Sequence, residues 1–123
     1  MSIFKVPISV GHPNGGDLYP LDAVVDTGAA HSMLPASLLA DLSVPAEEEL
    51  GFILADGSRV RYGFGMVRFR IYDKERQYPV IFGPDGNYLL GATVLETFNL
   101  LADPHAERLG PAEWLRLGWG GEI

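Results

Sequence analysis

Residues 21–35 read LDAVVDTGAAHSMLP. An apolar stretch ends on Asp26, Thr27 and Gly28 break it, and small apolar residues follow. A carboxylate at the edge of a buried strand costs several kcal/mol unless something compensates it. Asp26 is therefore either a turn-former at a strand end or the group that the strand exists to present.

Outward from this stretch the dominant period is two, the signature of half-buried strands. Phe4, Val6, Ile8 and Val10 alternate, so residues 3–10 read as a strand, and HPNGGD (12–17) turns it into a second strand over 18–26. Pro35 opens a short helical pattern, ASLLADL, that fits about two turns before Pro45. The acidic run Glu47–Glu49 reads as a solvated loop. Asp56-Gly57 then sits between two β-prone runs, a strong hairpin signal. In the second run Val60, Tyr62, Phe64 and Met66 share one parity, while Val67, Phe69 and Ile71 share the other. A parity switch beside Gly63 and Gly65 suggests a bulge or bend. DKER (73–76) and GPDGN (83–87) are turns flanking a strand over 78–82. Residues 88–90 are short and apolar, GATVLETF (91–98) reads as a helix, and residues 100–102 form a strand turned back by DPHAER (103–108). The tail is ambiguous between a strand and a short helix opened by Pro111.

A chain of 123 residues fits one domain, here taken as 1–123. With no cysteine it forms no disulfide and no thiolate metal site. His12, His31 and His105 are too scattered for a metal site, no HExxH occurs, and no metal or cofactor is expected. The formal charge of −7 argues against nucleic acid as a partner. Arg59, Arg61, Arg68 and Arg70 alternate with apolar residues and read as the outer face of a strand. The N-terminus lacks the apolar core of a signal peptide, and no run approaches the ~20 apolar residues of a membrane span. No membrane association is expected, and the chain is expected to be cytoplasmic.

Gly28 permits a tight turn with close backbone approach, Ala29 and Ala30 leave that approach unobstructed, and the Thr27 hydroxyl can lock the turn. Asp-Thr-Gly alone is weak evidence. It gains weight from Val24-Val25 before it, and from a second apolar–apolar–Gly element, Leu89-Leu90-Gly91, that also leads into a helix.

In these elements the chain resembles the retroviral-type (retropepsin-like) aspartic peptidases, in their bacterial form. VVDTGA (24–29) looks like the catalytic loop, and FILADGSRVRY (52–62) falls where such proteins place the flap hairpin. VIFGPDGNYLLGATVLETF (80–98) and NLLADPHAERL (99–109) resemble the strand, Leu-Leu-Gly element, helix and closing hairpin that follow. The resemblance implies a mostly β, single-domain closed barrel with one or two short helices and a flap. It implies that Asp26 is catalytic, with Thr27, Gly28 and Ala29 as its loop. Thr27 would bond across subunits beneath the carboxylate pair, and Gly28 would contact substrate through its backbone. Ala55, Asp56, Gly57 and Ser58 would be the substrate-binding flap, and Leu89, Leu90 and Gly91 a structural loop near the site.

Such chemistry needs two carboxylates sharing a proton, for which aspartic peptidases are themselves the standard example. This chain has one Asp-Thr-Gly; Asp56, Asp85 and Asp103 stand in turn contexts. The second carboxylate must then come from a second copy, which implies a symmetric homodimer. The implied activity is peptide-bond hydrolysis on a substrate held as an extended strand. The competing reading is a non-catalytic peptide-binding or dimerisation module of the same fold. Aspartyl phosphoryl transfer ranks last, because no acid or Lys lies close after Asp26. The chain departs from the family pattern at His31, read as solvent-facing, and at the polar tip ADGS. It departs again at Trp114 and Trp119, read as part of the dimer interface.

Overall fold

The computed structural model describes residues 3–112. Their order is β1 (Phe4–Gly11), β2 (Tyr19–Val25), β3 (Met33–Pro35), α1 (Ala36–Asp41), β4 (Glu48–Ile53), β5 (Arg59–Ile71), β6 (Lys74–Gly83), β7 (Leu89–Leu90), α2 (Ala92–Thr97), β8 (Leu100–Asp103) and β9 (Arg108–Pro111). The sheet runs β1-β2-β7-β3-β6-β5, and a further β1–β5 pairing closes it into a six-stranded barrel. Strand β4 adds to β5 outside that ring, and β8 and β9 form a separate two-stranded sheet. The architecture is the mostly β closed barrel with two short helices that the sequence implied.

Alternation explains the closure. Phe4, Val6, Ile8 and Val10 of β1 are buried, as are Ala23 and Val25 of β2 and Val67, Phe69 and Ile71 of β5. Strand β1 pairs along its length with β2, Phe4 facing Val25 and Val10 facing Tyr19. At its far end it pairs with β5, Val10 facing Phe69. These side chains meet Leu34, Leu39, Val80, Leu90, Val94 and Phe98 in one core.

Strand β5 divides its work. Residues 59–64 pair with β4, residues 63–71 pair with β6, and both registers run without an inserted residue. The parity switch is therefore not a bulge. The segment Pro45–Glu47 crosses one face of β5 at the two glycines. A Cβ on Gly63 would lie 2.9 Å from Ala46 Cβ, and one on Gly65 would lie 2.9 Å from the Pro45 carbonyl oxygen. Beyond the crossing the odd residues bury themselves in the barrel. Before it the even residues Val60, Tyr62 and Phe64 are the partly buried ones.

The acidic run is likewise not a free loop. The Glu47 N–H donates to the Phe64 carbonyl at 2.9 Å, its carboxylate accepts the Met66 N–H at 2.8 Å, and Glu48 opens β4. Strand β3, three residues long, was not foreseen; it lies parallel to β6 and antiparallel to β7. Strand β6 is longer than expected, because Tyr72-Asp73 alone turn the chain and Ile71 already faces Lys74. Pro111 closes β9, and Trp114 and Trp119 lie outside the described residues.

Arg68 departs from the solvated-face reading. Its guanidinium donates to the His12 carbonyl at 3.0 Å and the Gly16 carbonyl at 2.8 Å, and pairs with Glu75 at 2.8 Å. The side chain is only 14% exposed, so these bonds form with limited competition from water. They tie the 12–17 turn to the barrel wall. Arg68→Met, which keeps the stem and removes the donors, should lower unfolding free energy by about 2 kcal/mol. Urea denaturation checks this, and a loss under about 0.5 kcal/mol would contradict the clamp.

Candidate active site

Asp26 follows the last residue of β2 and is partly buried. Its position is set from two directions. Strand β2 runs parallel to β7, with the Val24 N–H on the Tyr88 carbonyl at 2.8 Å and the Asp26 N–H on the Leu90 carbonyl at 3.0 Å. Beyond Asp26 the chain turns tightly: the Ala29 N–H donates to the Asp26 carbonyl at 3.1 Å. The Gly28 N–H donates to Asp26 Oδ1 at 3.0 Å. Oδ1 is thus oriented by its own loop. The other carboxylate oxygen accepts no hydrogen bond among the described residues.

The loop then crosses the start of α2. The Ala29 carbonyl accepts the Ala92 N–H at 2.8 Å, and the Ala30 carbonyl accepts the Thr93 N–H at 3.2 Å and the Thr93 hydroxyl at 2.7 Å. Ser32, 1% exposed, accepts the Gly91 N–H at 2.9 Å, and its own carbonyl accepts the Ile81 N–H at 2.9 Å. The crossing is tight. A Cβ on Gly91 would lie 2.5 Å from the His31 carbonyl oxygen and 2.8 Å from that of Ala29. Leu89-Leu90-Gly91 therefore stands against the Asp26 loop, Leu89 between Val24 and Met33 and Leu90 beside Val25. Ser32, Ala92 and Thr93 were not singled out from sequence. The only signal for Ser32 was a lone hydroxyl in a small, apolar run.

Thr27 and Gly28 are exposed. Thr27 lines a shallow cavity of about 190 Å³ together with Ala92, Leu95, Leu100 and Leu101. Leu101 on β8 is 57% exposed, so apolar surface lies beside the Asp26 loop.

Ala55–Ser58 form the tip of the β4–β5 hairpin, and all four are exposed. The Leu54 N–H donates to the Ser58 carbonyl, the Gly57 N–H donates to the Leu54 carbonyl, and Gly57 has φ +86°. This is a type I turn closed by a left-handed glycine, not a two-residue Asp-Gly turn. Asp56 Oδ1 accepts the Ser58 hydroxyl at 2.6 Å and the Ser58 N–H at 2.9 Å. The hydroxyl first, then the N–H, hold the Asp56 carboxyl below the ordinary carboxylate range. Among the described residues no hydrogen bond joins this tip to Asp26.

His31 is exposed, as expected, but not free. Its ring meets Phe64 edge-on at 5.7 Å and 84°, and Phe52 at 6.5 Å and 73°. No group of three or more metal-ligating side chains occurs among the described residues. No helix among them is long and apolar enough to cross a membrane.

A closed barrel presenting an Asp-Thr-Gly loop against a Leu-Leu-Gly strand, with a hairpin projecting beside it, defines a retropepsin-like protein. The aspartyl protease family model matches residues 6–94, and the chain belongs to that family. Among solved structures it is similar to the retroviral protease-like domain of Ddi1 from Leishmania major. That likeness has 15% identity and a TM-score of 0.62, and covers 93% of this chain and 91% of that one. It is also similar to EIAV protease complexed with the inhibitor HBY-793, at 18% identity and TM-score 0.54, covering 76% and 86%. These likenesses establish the fold. No curated protein matches the chain in sequence.

Two outcomes follow. Gly91→Ala must push apart backbone that the hydrogen bonds hold together, so it should destabilise by about 1–3 kcal/mol in thermal or urea unfolding. A neutral effect would mean that the crossing is looser than described. At the tip, a lowered Asp56 pKa stabilises the turn above the usual Asp value of about 3.9, and this is lost as pH falls through the lower folded value. An NMR titration of the Ser58 amide should therefore show its midpoint below that usual value, and a midpoint above it would refute the clip.

Proposed function

We propose that the chain is an aspartic endopeptidase whose active site is assembled from the Asp26 loops of two copies. The carrying observation is a single Asp-Thr-Gly carboxylate held at a strand end, one oxygen fixed by Gly28 N–H and the other turned to no partner among the described residues. One carboxylate cannot both activate water and protonate an amide. Two within a few ångströms can, because the second ionisation is suppressed and the pair keeps one proton. The ionised member takes a proton from water as it attacks the scissile carbonyl. The protonated member polarises that carbonyl, and the departing nitrogen receives a proton as the C–N bond breaks.

The exposed Leu101, which lines the same cavity as Thr27, supports the second copy's approach. A two-fold axis there would bring each Thr27 and each Asp26 towards its twin. The β4–β5 hairpin would act as the flap, closing over an extended peptide and excluding water.

Asp26→Asn tests the reading. Cleavage of a denatured protein mixture should fall by about 10²–10⁴-fold or more, with the dimer retained in sedimentation. Activity that survives the change would end the proposal. The rate should peak at acidic to mildly acidic pH, since deprotonating the pair removes its acid member. A rate climbing steadily to pH 9 would contradict that.

A further inference from the structure

We propose that His31 is a positioning residue that couples the Asp26 loop to the β4–β5 hairpin through its ring. The hairpin extends beyond the barrel with one edge of β5 unpaired, since residues 59–62 of β5 pair only with β4. On one face of it stand Leu50, Phe52, Val60, Tyr62 and Phe64. Phe52 lies opposite Val60, Leu50 opposite Tyr62, and Phe64 opposite Glu48. Phe52 and Phe64 are therefore not cross-strand partners; the Leu50–Tyr62 pair separates them. The His31 imidazole, from outside the hairpin, meets both of them. Phe52 in turn meets Tyr62 in a tilted contact, ring centroids 6.1 Å apart, so the contact spreads across both strands.

The other end of the connection is fixed. The His31 carbonyl lies against Gly91, and the next residue, Ser32, is buried and bonded to Gly91 N–H. The imidazole stands on backbone held against Gly91 and reaches a hairpin that extends beyond the barrel. Edge-on aromatic contacts of this kind have preferred geometry and add to simple burial. Two of them at once bias the hairpin towards the loop and reduce the ordering left for a peptide to impose on binding. The consequence for catalysis rests on the peptidase reading; the ring contact does not.

Hydrogen exchange of the full chain reads the coupling directly and needs no turnover, so inactive Asp26→Asn protein serves equally well. His31→Ala should speed exchange of the amides of residues 50–62 by about tenfold, the scale of two such ring contacts. Amides of β1 and β6 should stay unchanged. His31→Phe, which keeps a ring and removes the ring nitrogens, should restore protection. Unchanged hairpin exchange in His31→Ala overturns the proposal, as does a rise shared equally by β1, or a failure of His31→Phe to rescue. In an active enzyme the same Ala variant should lose kcat/KM mainly through KM. A loss confined to kcat would instead make His31 part of the chemistry and overturn a positioning role.

Discussion

The arrangement depends on one backbone crossing. The Asp26 loop and the Gly91 turn lie so close that no side chain fits between them, and the space is filled by hydrogen bonds instead. Exposed loops are normally the mobile parts of a fold. Here residues 26–32 are loop by conformation but are bonded on both sides: to Leu90 before the turn, and to Gly91, Ala92 and Thr93 after it. Chemistry that needs two carboxylates within a few ångströms tolerates little positional error. A loop anchored through backbone groups meets that demand with few side chains, and Ala29 and Ala30 contribute mainly their carbonyls. The buried Ser32 hydroxyl completes the joint by satisfying the Gly91 N–H, which would otherwise be buried without a partner.

The barrel provides the frame for this joint, and β5 shows how the frame also supplies a projecting hairpin. One strand serves the core over its second half and the projecting hairpin over its first. The change of duty falls where Gly63 and Gly65 let Pro45–Glu47 pass across its face, with Glu47 bonded to the backbone at Phe64 and Met66. The hairpin is thereby anchored on a strand that cannot slip, since a shift by one residue would turn Val67, Phe69 and Ile71 out of the core.

Much of this was legible in the residues. Strict alternation in 4–10 and the Asp-Gly signal at 56–57 placed β1 and the hairpin, and the two apolar–apolar–Gly elements marked the strands that meet at Asp26. What stayed hidden was created by tertiary contact. Three residues, Met33–Pro35, are too few to display a period, and β3 exists because β6 and β7 flank it. Glu47–Glu49 has the composition of a solvated loop, yet backbone partners on β5 draw it into the sheet. The parity switch in β5 was visible and read as a bulge or bend; the unbroken registers exclude the bulge, and sequence alone does not reveal that another segment crosses there. Arg68 and His31 were read from their polarity, whereas their roles come from the carbonyls and rings that distant elements bring to them.

Charge sets a condition on the proposed assembly. Each copy carries a formal −7, so docking two of them brings like charges together and opposes the apolar attraction around Leu101. The opposition is screened by salt, and it weakens as carboxylates begin to protonate in mild acid. The proposed Asp26 pair would hold its shared proton more readily under the same conditions. Acidity would therefore act twice on the proposed enzyme, once by keeping the acid member of the pair and once by easing the encounter that creates the pair. With only one Asp26 per chain, the proposed site would exist only in the fraction of copies that are paired. Activity per chain would then follow dimer population by mass action, whereas a barrel carrying both carboxylates on one chain would show no such dependence.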